Sequence, residues 1–247
     1  MRTNCHFITP PSARNSGLVL LELLVVAAVV ILVFMLVIPA FYRPRVNSTR
    51  IKCSSNLKQI ALSYKMYAGD HDGRMPWHEP ALKSANPQTV RSLATPWQYF
   101  LAASNELGST KILACPADDA RWTNRADTFT GLTNSLILRN KRNQAISYFI
   151  NPQGDETKPN MLLTGDRHIT PDGQPALYQS PGNQLAEVNT NLSQWWKPKN
   201  DEFHESGGNY ALYDGSVQQA STDRLREALR LARDSYGTNA NRFLFPQ

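Results

Sequence analysis

Three groups of side chains in this sequence have the types that do chemistry. One is Glu22, a carboxylate inside an apolar run; another is the pair Cys53 and Cys115; the third gathers His71, Asp72, His78, Asp166, His168, His204 and Asp214. A carboxylate within an apolar span costs about 2.5–3.5 kcal/mol at mid-helix on an insertion scale and less near an end, so Glu22 marks a function unless it stays hydrated at the interface. Cys53 and Cys115 read either as one disulfide, in an oxidising compartment, or as two separate buried thiols. They lie too far apart for a CxxC motif, and no second pair completes a metal site. A histidine with two aspartates can hold a metal or form a catalytic pair. A membrane-anchored extracytoplasmic ligand-binding or hydrolytic domain is therefore the alternative function. No HExxH, GxSxG, P-loop or GxGxxG motif supports it. Asp214-Gly215 is expected to make a turn, His204 to hydrogen-bond that hairpin's backbone, and Asp118-Asp119 to lie in a solvated loop. The segment Asp70-His71-Asp72-Gly73 resembles the start of a calcium loop but lacks the later ligands and glutamate. The chain is read as no enzyme, with no catalytic residue, metal ligand or cofactor assigned.

These groups sit on elements that the hydropathy pattern defines. From Leu18 to Ile38 the only charge is Glu22, and at about 1.5 Å per residue this helix covers roughly 30 Å, one hydrocarbon core. No comparable run follows, so one membrane segment precedes a soluble remainder. The chain carries 26 basic and 20 acidic residues, and without Arg2 and Arg14 of the N-terminal segment the count is 24 against 20. That balance is too mild for a nucleic-acid surface. Residues 1–17 read as a short basic leader, 18–69 as a helix that is transmembrane to about 40 and amphipathic beyond, and 70–247 as a soluble globular domain. In the second half of the helix Val46, Cys53, Leu57, Ile60, Tyr64 and Tyr67 form one apolar stripe, with Arg50, Lys52, Ser55 and Lys58 mostly off it. Pro39 and Pro44 predict a kink or local break between the halves.

Within the soluble part Lys111–Cys115, Ile146–Ile150 and Met161–Thr164 read as strands, Trp97–Ala103 as a short helix, and Asp166–Asn200 as loop-dominated. Asp214-Gly215 predicts a hairpin over 209–220 that pairs Tyr213 with Ser216 and Leu212 with Val217, with Tyr210, Leu212 and Val217 on one face. Leu225, Leu229, Leu231 and Ala232 predict a terminal amphipathic helix over 222–237. The fold class is α+β: a long N-terminal helix packed on a small antiparallel-sheet domain, without the strand–helix alternation of a doubly wound sheet.

The junction Gly17-Leu18-Val19-Leu20-Leu21-Glu22 adds a resemblance. A small basic leader, a glycine, a long apolar helix and a glutamate five residues past the glycine resemble type IV pilin-like proteins, the pseudopilins of type II secretion among them. The resemblance implies that a prepilin peptidase cuts between Gly17 and Leu18 and methylates the new N-terminus, although Leu18 stands where phenylalanine or methionine is more usual. It also implies that Glu22 pairs with the amine of a neighbouring subunit during assembly, which fits the mutual relief of two charges in an apolar bundle. Pro39 matches a proline of the family's helix; Pro44 is an extra one. Cys53 through Ile60, Tyr67 through Pro76, Cys115-Pro116, and His204, nine residues, then Asp214-Gly215 resemble a bacterial subgroup of these proteins. What this H-X9-DG motif does is left open, with a structural role favoured.

The resemblance implies a structural subunit of a type II secretion or type IV pilus-like envelope filament. Its implied partners are other copies of itself, other pseudopilins, the prepilin peptidase and the inner-membrane assembly platform. It places the leader in the cytoplasm and the domain in the periplasm, against the positive-inside count of Arg43, Arg45, Arg50 and Lys52 after the span, which long translocated domains obey poorly. Because some secretion pseudopilins bind calcium in their globular domains, calcium is the one cofactor the resemblance leaves open.

Overall fold

The computed structural model describes residues 16–42, 44–79, 95–129, 141–169, 186–188, 204 and 207–246. The chain divides into two compact units, residues 1–45 and 46–247. In the first, helix α1 spans Ser16–Tyr42. From Leu20 to Val37 it is long and apolar enough to cross a membrane, and none of that stretch is buried in the chain. Helix α2 spans Pro44–Asp70. It begins on a proline, whose missing N–H costs nothing at a first helical position. The helix assignment of α1 runs through Pro39; Arg43, between the two helices, lies outside the described residues.

The second unit is built around a four-stranded antiparallel sheet with strands β1 (Tyr148–Ile150), β2 (Leu162–Asp166), β4 (Gly207–Leu212) and β5 (Val217–Ser221) in that spatial order. Side chains alternate across a strand, and here both faces are covered. Tyr148, Ile150, Leu163, Ala211 and Tyr213 share one apolar cluster with the α2 stripe Cys53, Leu57, Ile60, Tyr64 and Tyr67. On the other face Phe149, Leu162, Tyr210 and Ala220 share a second cluster with Leu225 and Leu229 of the C-terminal helix, Thr222–Tyr236. The unit is thus helix, sheet, helix in three layers. Tyr64 sits deep in the α2 layer, its ring centroid 5.4 Å from that of Trp77 and 6.1 Å from that of Phe100.

Several expectations need correction. Lys111–Cys115 is no strand: Thr110–Leu113 is a 3-10 turn, because the Ser109 side chain accepts from Lys111 N at 3.3 Å and starts the chain curling. The hairpin register is shifted by one. Ala211, not Leu212, opposes Val217, and Leu212 N donates to Ser216 O at 2.9 Å. Gly215 N donates to Leu212 O at 3.0 Å and Gly215 stands at φ 85°, so the loop has three residues and ends on a left-handed glycine. A one-residue slip exchanges faces: Val217 packs with the α2 cluster, whereas Tyr210 and Leu212 pack with the C-terminal helix. Leu231 is exposed, the helix burying Leu225, Leu229 and Ala232 instead. In the stretch read as loop, β3 (Ala186–Glu187) pairs with β6 (Arg242–Phe243), and residues 170–185 and 189–200 lie outside the described residues.

Candidate functional site

Strand β4 carries the H-X9-DG residues at its two ends, and both ends are fastened to α2. At the first end α2 presents Cys53, on the buried stripe, and Arg50 one turn earlier. Cys53 is joined to Cys115 by a disulfide, with the Cα atoms 5.1 Å apart and a sequence separation of 62. Cys115 is held in place by its own backbone, since Cys115 N donates to Ser147 Oγ at 2.9 Å just before β1. The Arg50 guanidinium donates to Gly208 O and Ala220 O, both at 3.3 Å, across the end of the hairpin. Glycine at 207 makes room for it: a Cβ there would stand 2.5 Å from Arg50 Nη2 and 2.9 Å from Ala220 O.

His204 enters this end from before β4, in a left-handed conformation at φ 54°. Its ring is buried, with Nε2 3.4 Å from Cys115 Sγ and 3.7 Å from Asp166 Oδ2. His204 meets the hairpin's backbone through its carbonyl, which accepts from Gly207 N at 3.2 Å. Asp166, the last residue of β2, is fully buried and accepts from Asn209 N at 2.7 Å and Asn209 Nδ2 at 3.0 Å. Loss of water pushes its carboxyl up to about 7, against the two Asn209 hydrogen bonds and the nearby Arg50 charge that pull it down. Burial also lowers His204, helped by Arg50, to about 4. Between those values both groups are neutral, so their proximity is not an ion pair.

Beside them lies a true ion pair that the sequence reading missed. Asp118 is buried, not solvated, and takes the Arg167 fork with Nε to Oδ2 at 2.7 Å and Nη2 to Oδ1 at 3.0 Å. Burial raises the Asp118 carboxyl, but the hydrogen bonds and charge of Arg167 outweigh it and hold the group below the usual carboxylate range. The half-buried His168 is pushed by desolvation and then by Arg167 down to about 3. Nothing in spacing or periodicity links positions 118 and 167; only β2, which ends at 166, and the turn after Cys115 bring them together.

At the other end of β4, Asp214 and Gly215 form the hairpin turn. Asp214 Oδ1 accepts from Ser216 N at 2.7 Å. Lys58 Nζ donates to Gly215 O at 2.7 Å and Lys65 Nζ to Asp214 O at 3.2 Å, from positions seven apart on α2. Tyr213 N donates to Met161 O at 3.0 Å, and its buried hydroxyl donates to Asn151 O. A pair of lysines seven apart, facing a turn with free carbonyls, was the available sequence signal for this contact.

The remaining candidates are dispersed. His71 stacks on Tyr67 with centroids 3.9 Å apart and its Nδ1 lies 2.8 Å from Tyr67 O, closing the end of α2. Asp72 and Gly73 follow at φ 54° and 75°. His78 lies against Trp77. Among the described residues one group of three or more His, Cys, Asp or Glu ligand atoms is close enough to hold a metal ion, and it is Cys53, Cys115 and His204; Asp70 and Asp72 belong to none. Gly17, Leu18 and Glu22 lie in the early turns of α1. Chemically, the arrangement around β4 is a clamp: at one end Arg50 bonds the hairpin beside the disulfide that ties α2 to Cys115, and at the other two lysines bond the hairpin turn. Compared with family models, curated proteins and solved structures, the chain has no match.

Proposed function

We propose that this chain is a membrane-anchored structural subunit of pseudopilin type, a building block of a type II secretion or type IV pilus-like envelope assembly. The observation that carries the reading is α1. It is apolar on every side from Leu20 to Val37, is uncovered by the rest of the chain, and holds one carboxylate, Glu22. Such a helix needs lipid or other helices around it. The glycine before it supports cleavage between Gly17 and Leu18 by a prepilin peptidase. Glu22 then meets the new amine of a neighbouring copy, where each charge relieves the other's desolvation. The leader lies in the cytoplasm, the span in the inner membrane and the second unit in the periplasm, an oxidising compartment that suits the Cys53–Cys115 bond. Ile51, Leu62 and Met66, exposed on α2, offer further apolar surface to other subunits or to the assembly platform.

The burial of His204 and Asp166 supports a structural over a hydrolytic reading, because a general base must reach a substrate proton within hydrogen-bond distance. The H-X9-DG residues then serve the clamp. The test is Glu22→Ala in the native host. Membrane-fraction level should equal that of the wild type, since the change makes the span more apolar, while sheared or cross-linked oligomer falls. Equal oligomer at equal membrane level would refute the role given to Glu22, and loss from the membrane would reassign the residue to insertion.

A further inference from the structure

The residues around the disulfide include more than a disulfide requires. Two sulfurs and one imidazole nitrogen lie within 4.8 Å of one another, all on buried residues. Thiolate, thiolate and imidazole, with water in the fourth position, are a donor set that zinc takes, in which Zn–S is about 2.3 Å and Zn–N about 2.0 Å, so a tetrahedral ion sets sulfur and nitrogen about 3.5 Å apart. Cys115 Sγ and His204 Nε2 already stand 3.4 Å apart. Asp166 Oδ2 is 3.7 Å from that same nitrogen but stands outside the group of three. We propose that, when the Cys53–Cys115 bond is reduced, Cys53, Cys115 and His204 bind one zinc ion, with water as the fourth donor.

The chemistry balances with a dithiol as reductant. Two electrons and two protons pass from the dithiol to the Cys53–Cys115 bond; the S–S bond breaks, two thiols form, and the dithiol leaves as its own cyclic disulfide. Zinc then displaces both thiol protons to solvent and takes neutral imidazole and a water as its other ligands. The sulfurs must part to about 3.8 Å to bind one tetrahedral ion, a spacing that cysteines with Cα atoms 5.1 Å apart reach by side-chain rotation. The two thiolates balance the two positive charges of the zinc ion, so the centre is neutral. The consequence is one junction with two fastenings: α2, the Cys115 turn and the segment entering β4 stay tied under reducing conditions by metal and under oxidising conditions by the disulfide.

The experiment uses the full chain in detergent with Cys5, the remaining cysteine, changed by Cys5→Ser. The protein is reduced with a dithiol, freed of it anaerobically, and titrated with Co2+ as the probe. The expected result is one cobalt per chain, a thiolate-to-cobalt charge-transfer band and strong tetrahedral d–d bands that zinc abolishes, with neither feature in the oxidised protein. His204→Ala should weaken the binding by at least about tenfold. Absence of the charge-transfer band in the reduced chain overturns the proposal, whether or not that chain stays folded. Equal affinity in His204→Ala overturns it too, since scattered thiols of a loosened chain would then account for the metal.

Discussion

Helices α1 and α2 are each 27 residues long, yet they meet their surroundings in opposite ways. The described side chains of α1 are uncovered from Leu20 to Val37, with Glu22 the sole charge. In α2 one stripe is fully inside the second unit, while its exposed side carries Ile51, Lys52, Leu62 and Met66. A helix apolar all round is a helix whose partner comes from elsewhere, and one with a single apolar stripe has its partner in its own chain. The difference lies in the partner: α2 packs on the sheet of its own unit, whereas α1 is left apolar and uncovered. Along α2, Arg50 reaches one end of β4, beside the Cys53–Cys115 bond, and Lys58 and Lys65 reach the turn at the other.

The same substitution in both helices tests this contrast. Leu57→Ala, at a fully buried position facing the sheet, should cost the second unit about 2–5 kcal/mol in denaturant unfolding and leave the membrane fraction unchanged. Leu24→Ala, exposed on α1, should leave that unfolding midpoint unmoved and weaken insertion by only about half a kcal/mol. Similar midpoint shifts for the two would erase the distinction between the helices.

A smaller effect concerns the junction where β4 meets α2. Asp166 holds its proton in the folded state to about pH 7, whereas an unfolded aspartate ionises from about 3.8. Between those values the folded protein binds more protons, so this residue's contribution to stability falls as pH rises and levels off above 7. His204 and His168, lowered to about 4 and 3, act the other way, losing stability as pH falls below about 6.5. Their effects are common to wild type and Asp166→Asn and drop out of the comparison. The melting temperature of wild type relative to Asp166→Asn should therefore be lower at pH 8 than at pH 4; a difference that does not change with pH would contradict the burial assigned to Asp166.

What the sequence made legible follows the range of the interaction. The stripe on α2, the apolar run of α1 and the bounds of the C-terminal helix are patterns of near neighbours, and Thr222–Tyr236 with Gly237 beyond it matches its signals closely. The hairpin's existence was legible from Asp214-Gly215, but its register was not. Asp-Gly serves both a two-residue and a three-residue loop, and β4 is buried on both faces, so alternation could not choose between them. Asp118 was misread because two adjacent acids suggest solvent until a partner is known, and Arg167 is 49 residues away. The H-X9-DG spacing did not show that a strand of six residues separates His204 from the turn and sets its ring against Cys115.

The central claim is that α1 begins, in the working protein, as a processed anchor. Intact-mass and N-terminal peptide analysis of the protein extracted from native membranes tests it most directly. The account predicts that the mature pool starts at Leu18, with or without an N-terminal methyl group; a mature pool that still starts at Met1 would contradict it.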